Sequence, residues 1–492
     1  MMNDQQNYYA EKPVPEKIFS AEKPELLFLA LMVLGGVCLC NFTLFAGYDL
    51  GFALAIPLCI WSSFGYLVCR GHRPTAYSTT LLALSTLCAL GFARSDDGFV
   101  KFVLVCFLAV GINLGLCLLA QQNYRNPSSV GSLLDAPRAF FVHGFGGLSS
   151  ALRGLGEAVR ANTFAKKGSA FLLGLCVSIP ALLIIIPLLI SADAAFSGLV
   201  DLMPEFQFYE FVVTVVLGLL LSGIFYTRCV SMHHETRTDT TKSVRKGVHA
   251  ITINTALCVV CLVYIAYLFS QLAYFVGGFA GILPEEYTLA QYARRGFGEM
   301  AMLTGINLGL ICICLGVVNK ETGAPLFTRI LCLFICLVTL FFVSAASAKM
   351  LLYIESYGLT RLRVMTQIIM LFFALTTVIV TVWLFLPRLP YMKVVLILAL
   401  VMGAATIWMD VDTLVAGYNV NAYLSGKLET VDVDYLNSLS DGAVPHIAKL
   451  QQDEKYGTAA KNRLKDRKQS NSDADFRSWN YVNHTAQQYL PE

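Results

Sequence analysis

Gly168 to Ala192 reads GSAFLLGLCVSIPALLIIIPLLISA, with no charged side chain anywhere in it. A helix rises 1.5 Å per residue, so about 20 apolar residues cross the roughly 30 Å hydrocarbon core of a bilayer. A charge at the centre of such a span would cost about 2.5–3.5 kcal/mol on insertion scales. Pro180 and Pro187 would disturb a soluble helix. A membrane span tolerates them, because neighbouring helices re-satisfy the freed backbone groups. Lys166 and Lys167 precede the block and Asp193 follows it, which gives it a direction. The stretch predicts a transmembrane helix.

The rest of the chain repeats this pattern. Of 492 residues, 56% are hydrophobic and 14% charged, against about 25% charged in soluble domains. The charges collect at the ends and in short gaps between apolar runs. The net charge of +3 is too small to argue for nucleic acid. All fifteen cysteines fall in or beside apolar runs, so they read as small buried hydrophobes and predict no disulfide framework. The head, 1–23, is polar, and the first apolar run after it reads as a retained helix.

Eleven spans are predicted, beginning near Pro24, Leu50, Thr75, Phe99, Gly168, Phe211, Val248, Phe297, Pro325, Arg363 and Val394. The fold class is therefore all-α: a polytopic helix bundle over 24–409, followed by a small polar helical tail over 410–492. Lys101 stands near the end of its span, where it is expected to snorkel to the interface. With the N-terminus inside, inner segments carry 20 Lys and Arg and outer segments 7. That bias predicts a cytoplasmic head, and with an odd number of spans an extracytoplasmic tail. Leu148, Leu152, Leu155 and Val159 share one helical face. They predict a helix near 146–165, either lying in the inner interface or packed on the inner mouth of the bundle. In the tail, one helix is expected over 413–425 and a second from Ser440 through Leu450. The charged stretch 454–472 reads as a linker. Phe476 and Trp479 open a last helix and are the expected docking side chains, because so few apolar residues need a partner surface.

No catalytic constellation is visible. His233-His234-Glu235 lacks the i, i+4 spacing of a metal helix, Gly144-Phe145-Gly146-Gly147 is not followed by a phosphate-loop lysine, and no nucleophile elbow occurs. The expectation is a protein that is not an enzyme, with no cofactor and no metal. The spans nearly lack buried carboxylates and histidines, which argues against an ion-coupled pump. Asn113, Asn254 and Asn307 are expected to bond between helices.

Two outer stretches carry the candidate site. LPEEYTLAQYARRGFGEM, 283–300, holds Glu285, Glu286, Arg294, Arg295 and Glu299, and YIESYGLTRLRV, 353–364, holds Glu355, Arg361 and Arg363. Arginines at the outer ends of spans oppose both the positive-inside bias and the positive end of the helix dipole. They therefore need a counter-charge, a ligand or water. The expectation is a polar cluster in which Arg361 or Arg363 meets the 283–300 segment.

The runs PEEYTLAQYARRGF and YGLTRLRV, the tail DVDTLVAGYNVNAYLSGKLETVDVDYLNSLSDGAVPHI and the closing DFRSWN together resemble a bacterial family of multi-pass membrane proteins. That family is known as domain of unknown function 4173, with 4153 a related label. The resemblance spans about 169–480. It implies a bacterial membrane and no known activity. The partners expected are the lipid bilayer and, through the tail, another envelope protein. Two further readings are a permease for a neutral or lipidic solute and, more weakly, a membrane enzyme acting at the outer face.

Overall fold

The computed structural model describes residues 23–45, 47–122, 126–146, 208–234, 249–279, 297–317, 325–470 and 479–490, with Ile185, Leu188, Leu189 and Ala192. The predicted span 168–192 and helix 146–165 thus fall almost wholly outside the described residues. Every described element is helical or a connection between helices. Ten helices are long and apolar enough to cross a membrane. These are α1 (Lys23–Leu44), α2 (Leu50–Cys69), α3 (Ala76–Leu90), α4 (Gly98–Leu119), α5 (Phe208–His234), α6 (Ala250–Phe279), α7 (Phe297–Val317), α8 (Leu326–Tyr357), α9 (Arg361–Phe385) and α10 (Tyr391–Met409). α3 is lengthened by the 3-10 turn Gly91–Ala93. The chain is an all-α polytopic bundle.

Three clusters of buried apolar residues organise it. One joins α2, α3, α4 and α10 to the tail. A second holds α6, α7, α8 and α9 together, and a third fills the space among α1, α2, α4 and α5. α1 and α5 run antiparallel: Asn41 Nδ2 donates to Thr214 Oγ1 at 3.2 Å, while Gly36 lies against Ser222 further along. At one end of the bundle His72 and His233 share a hydrogen bond of 3.1 Å, and Gln122 donates to the Met232 carbonyl at 3.1 Å. The carboxyl ends of α4 and α5 therefore lie together, and the two helices run in the same direction. The opposite end carries the connections 45–49, 94–97 and 358–360 and the tail.

Three readings change. α5 runs on to His234 instead of ending near 226, which carries Arg228 into the helix, buried, with Nη1 donating to Asn113 Oδ1 at 2.9 Å. Lys101 does not snorkel. It is buried against Asp49 at 2.6 Å, because the connection after α1 brings a carboxylate closer than water. The third concerns the tail, which forms α11 (Val411–Leu424), α12 (Val433–Ser438), α13 (Val444–Lys449), α14 (Gly457–Ser470) and α15 (Tyr481–Gln487). Residues 457–470, expected as a linker, are helical because Ala460 and Leu464 are fully buried on one face. The three asparagines do bridge helices. Besides Asn113, Asn254 accepts from Thr328 and Asn307 links Tyr264 to Thr339.

Candidate functional site: a charged layer between bundle and cap

The tail forms a cap. Val415, Val420, Leu436, Val444, Ile447 and Leu464 are buried in the same cluster as Phe52, Phe92 and Ile407 of the bundle. Between these apolar regions lies a layer of charged and polar groups drawn from sequence positions up to 431 residues apart.

Its centre is Arg361. Thr360 caps α9 by accepting from the Arg363 amide, which leaves the first amide of the helix without an intrahelical acceptor. Tyr435 of the cap supplies one, its hydroxyl accepting from Arg361 N at 2.8 Å. The guanidinium then faces Asp412: Nε to Oδ1 is 2.8 Å and Nη2 to Oδ2 2.5 Å. Such a forked pair is the strong, geometrically specific form of an arginine–carboxylate contact. Nε also stands 3.2 Å from Asp97 Oδ2. Asp97 and Asp412 are fully buried, whereas Arg361 remains 32% exposed. Asp97 Oδ1 accepts the first amides of α4, from Phe99 and Val100, and Asp412 Oδ2 accepts the Ser440 amide at 2.8 Å. One arginine therefore fastens the amino ends of two spans to two parts of the cap.

The turn before Arg361 is clamped by Asn419 of α11. Its Oδ1 accepts from Leu359 N at 2.7 Å and its Nδ2 donates to Leu359 O at 2.8 Å. Gly358 ends α8 at φ 74°, and a Cβ there would stand 2.6 Å from Asn419 Oδ1. Only glycine meets both conditions. Arg363 faces elsewhere: its guanidinium lies 4.0 Å from the Tyr353 ring centroid and donates to the carbonyls of Tyr357 and Gly358. It caps the carboxyl end of α8, where a cation is favoured by the helix dipole.

A second group seats α15. Asp49 binds Lys101 and accepts from Asn480 Nδ2 at 3.2 Å; the same amide lies 3.5 Å from Asp96 Oδ1. Asn480 also caps α15 by accepting from the Asn483 amide. Arg94 stacks over the Tyr481 ring at 4.4 Å. A third group joins α10 to the cap. Asp410 takes a left-handed φ of 52° and accepts from Ser95 Oγ at 3.0 Å and from Thr413 Oγ1. Deeper in the cap, Arg467 of α14 pairs with Asp441 at 3.0 Å and donates to the carbonyls of Asn437, Leu439 and Ser440.

Burial outweighs the neighbouring cations for several of these acids. The carboxyls of Asp49, Asp97 and Asp410 are raised above their ordinary range by burial. Asp96 is pushed up to about 6, first by burial and then by Asp49, Asp441 and Asp410, with Lys101 opposing.

The expected site residues are therefore placed as follows. Glu285, Glu286, Arg294, Arg295 and Phe476 lie outside the described residues. Glu299 and Glu355 are exposed and make no ion pair among the described residues. Arg361 is in a polar cluster whose carboxylates among the described residues are Asp412 and Asp97. Trp479 is 40% exposed; its carbonyl accepts from Leu50 N at 3.3 Å, and the neighbouring Asn480 makes the buried contacts. Among the described residues no group of three His, Cys, Asp or Glu could hold a metal ion.

The family described as domain of unknown function (DUF4153) matches residues 76–450. The chain belongs to the DUF4153 family. The match takes in Asp97, Arg361, Asp410, Asn419 and Asp412, and stops before α14 and α15. The related label 4153 is thus the one that applies to the resemblance seen in YGLTRLRV and the tail. Among curated proteins and among solved structures, no protein matches this DUF4153 chain.

Proposed function

We propose that this DUF4153 protein is a non-enzymatic component of the bacterial cell membrane that assembles with, or signals to, another envelope protein through its cap. The observation carrying this reading is the layered construction of the cap. Its inner side is fixed to the bundle by the Arg361–Asp412–Asp97 contacts, so it does not float. Its outer side includes α14, which rests on α12 and α13. Ala460, Leu464 and Arg467 face inward, while Lys461 and Lys465 lie exposed one position further on. A rigidly held polar helix pointing away from the membrane suits contact with a soluble or extramembrane surface. The 20-to-7 bias supports an inside head. Two spans that run in the same direction need an odd number of crossings between them, and α4 and α5 are such a pair. The uncharged block 168–192 is the proposed crossing, which makes eleven spans and puts the cap outside.

A reporter active only outside the cytoplasm, fused after Ser470, is expected to be active, and one fused at Lys242 inactive; the reverse pattern would overturn the topology. A photo-cross-linking residue at Thr458, exposed on the same face of α14, is expected to capture one envelope protein, and Lys461→Glu with Lys465→Glu is expected to abolish that capture at unchanged protein level. An undiminished cross-link in the double variant counts against the cap as the contact surface. A second reading, a permease for a neutral or lipidic solute, draws on an apolar crevice between α4, α9 and α10.

A further inference from the structure

That crevice lies just beneath the charged layer. Val103 and Phe107 of α4, Ile368 and Phe372 of α9, and Met402 and Gly403 of α10 line it. Its cavity volume is about 180 Å³, below the roughly 300–1,000 Å³ of sites that take a whole drug-sized molecule, so it suits part of one narrow chain. On each helix the lining residues belong to the turns nearest the cap, so the crevice occupies the cap-side half of the bilayer. Thr406 is the one lining residue with a polar side chain, and its hydroxyl already donates to the Met402 carbonyl at 2.8 Å. Water finds no partner there, and an empty crevice forfeits the dispersion contacts of its lining. Phe99 and Ile369 at its edge are about half exposed, so it opens sideways toward lipid.

The stripe of α9 that lines the crevice continues outward. Met365, Ile368, Ile369 and Phe372 lie on the same helical face as Arg361. The Arg361 guanidinium spends Nε and Nη2 on Asp412. Its Nη1 has no acceptor among the described residues, and the side chain is 32% exposed. An apolar slot below a half-exposed guanidinium with spare N–H donors is an amphiphile's shape. We propose that the crevice holds part of one hydrocarbon chain of a bilayer lipid whose ester or phosphate oxygen accepts from Arg361 Nη1. This inference rests on the membrane reading and is independent of what the cap binds.

The test uses the full-length protein in vesicles of phosphatidylethanolamine and phosphatidylglycerol doped with a phospholipid carrying a diazirine in its acyl chain. Cross-linked peptides are mapped by mass spectrometry. Labelling within 98–107, 365–372 and 399–406 is expected to exceed that around Leu337, which is equally exposed on α8, by roughly tenfold, the ratio given by 1.4 kcal/mol. Ile368→Trp fills the slot and is expected to erase the excess while leaving the cap resistant to protease. Met402→Trp serves the same purpose should the first variant misfold. Arg361→Lys keeps a cation for Asp412 but lacks the spare donors, and is expected to reduce the excess for the phospholipid without changing that for a diazirine alkane. Labelling no higher in the crevice than around Leu337, or an excess that survives filling in a folded variant, would overturn the proposal.

Discussion

Arg361 and Arg363 stand two residues apart and do opposite jobs. On a helix such a pair points different ways. One side chain reaches the cap, and the other turns back to close α8. Asp412 has no exposure and is held by two guanidinium contacts and an amide. Arg361 is a third exposed and keeps Asp97, so losing Asp412 strands no buried cation and removes charge-assisted bonds worth about 1.5–3 kcal/mol. Asp412→Ala is therefore expected to loosen the cap by that order, read as faster proteolysis between residues 425 and 470, with the spans still inserted. An unchanged cleavage rate would show that apolar packing alone seats the cap. Gly358→Ala combines a left-handed backbone with an overlap on Asn419. A residue held in a rarely populated backbone region costs about 1–3 kcal/mol, and the variant is expected to melt earlier than wild type in detergent. The sequence drew attention to Arg361 because cations are costly where it lies. Its partners were hidden because Asp97 and Asp412 read as ordinary acids at the ends of spans, 264 and 51 positions away. Nothing local marks which acid folds back on which base.

At the scale of elements, the spans were legible and the cap helices less so. Long uncharged runs declare themselves, since bilayer thickness and the cost of buried charge leave no other reading. α14 was not legible. Among the described residues Ala460 and Leu464 are the apolar side chains buried on it, and the rest of its hold is polar: Arg467 reaches three backbone carbonyls and Asp441, and Arg463 pairs with Asp434 at 2.9 Å. A helix fixed by a polar side chain looks like a linker when apolar residues alone are counted. Leu464→Ala is expected to cost about 2–5 kcal/mol, as for other fully buried leucines, and to raise amide exchange across 457–470 without altering that of α9. Equal exchange in wild type and variant would mean α14 is held only by its charges. α15 depends on its cap. Asn480→Ala removes both the N-cap and the bond to Asp49; the cap alone is worth about 1 kcal/mol. Exchange at Val482 and Ala486 should rise accordingly. Trp479 drew notice by its helical spacing from Phe476, yet the shorter amide beside it fits the buried charges. Hydrogen-bonding geometry, unlike hydrophobic spacing, leaves no period in a sequence.

For the molecule as a whole, the joint between bundle and cap is unusually acidic. Asp49, Asp96, Asp97, Asp410, Asp412 and Asp441 face Lys101, Arg361 and Arg467, with Arg94 acting on Asp410. Carboxylates therefore outnumber cations where water is scarce. Ionising such a group costs more in the docked cap than in a released one, so its docked pKa is raised. A raised carboxyl pKa means that the docked state binds more protons than the released state in the window between the two values. For Asp96 that window runs from an ordinary value near 4 up to about 6. By linkage, docking then tightens as pH falls through this window and is weakest above it. At about 1.4 kcal/mol per unit, discounted for partial exposure, Asp96 contributes on the order of 2 kcal/mol, and Asp49, Asp97 and Asp410 act in the same direction. Raising the pH from 5 to 8 is therefore expected to speed proteolysis of the cap and amide exchange in α15. Asp96→Asn, which keeps the side chain's shape and an acceptor for Asn480, should flatten part of that slope and leave the cap better protected at pH 8 than in the wild type. If exchange in α15 instead slows as pH rises, after correction for the intrinsic rate, or if Asp96→Asn retains the wild-type slope, the charged layer is not what governs the joint.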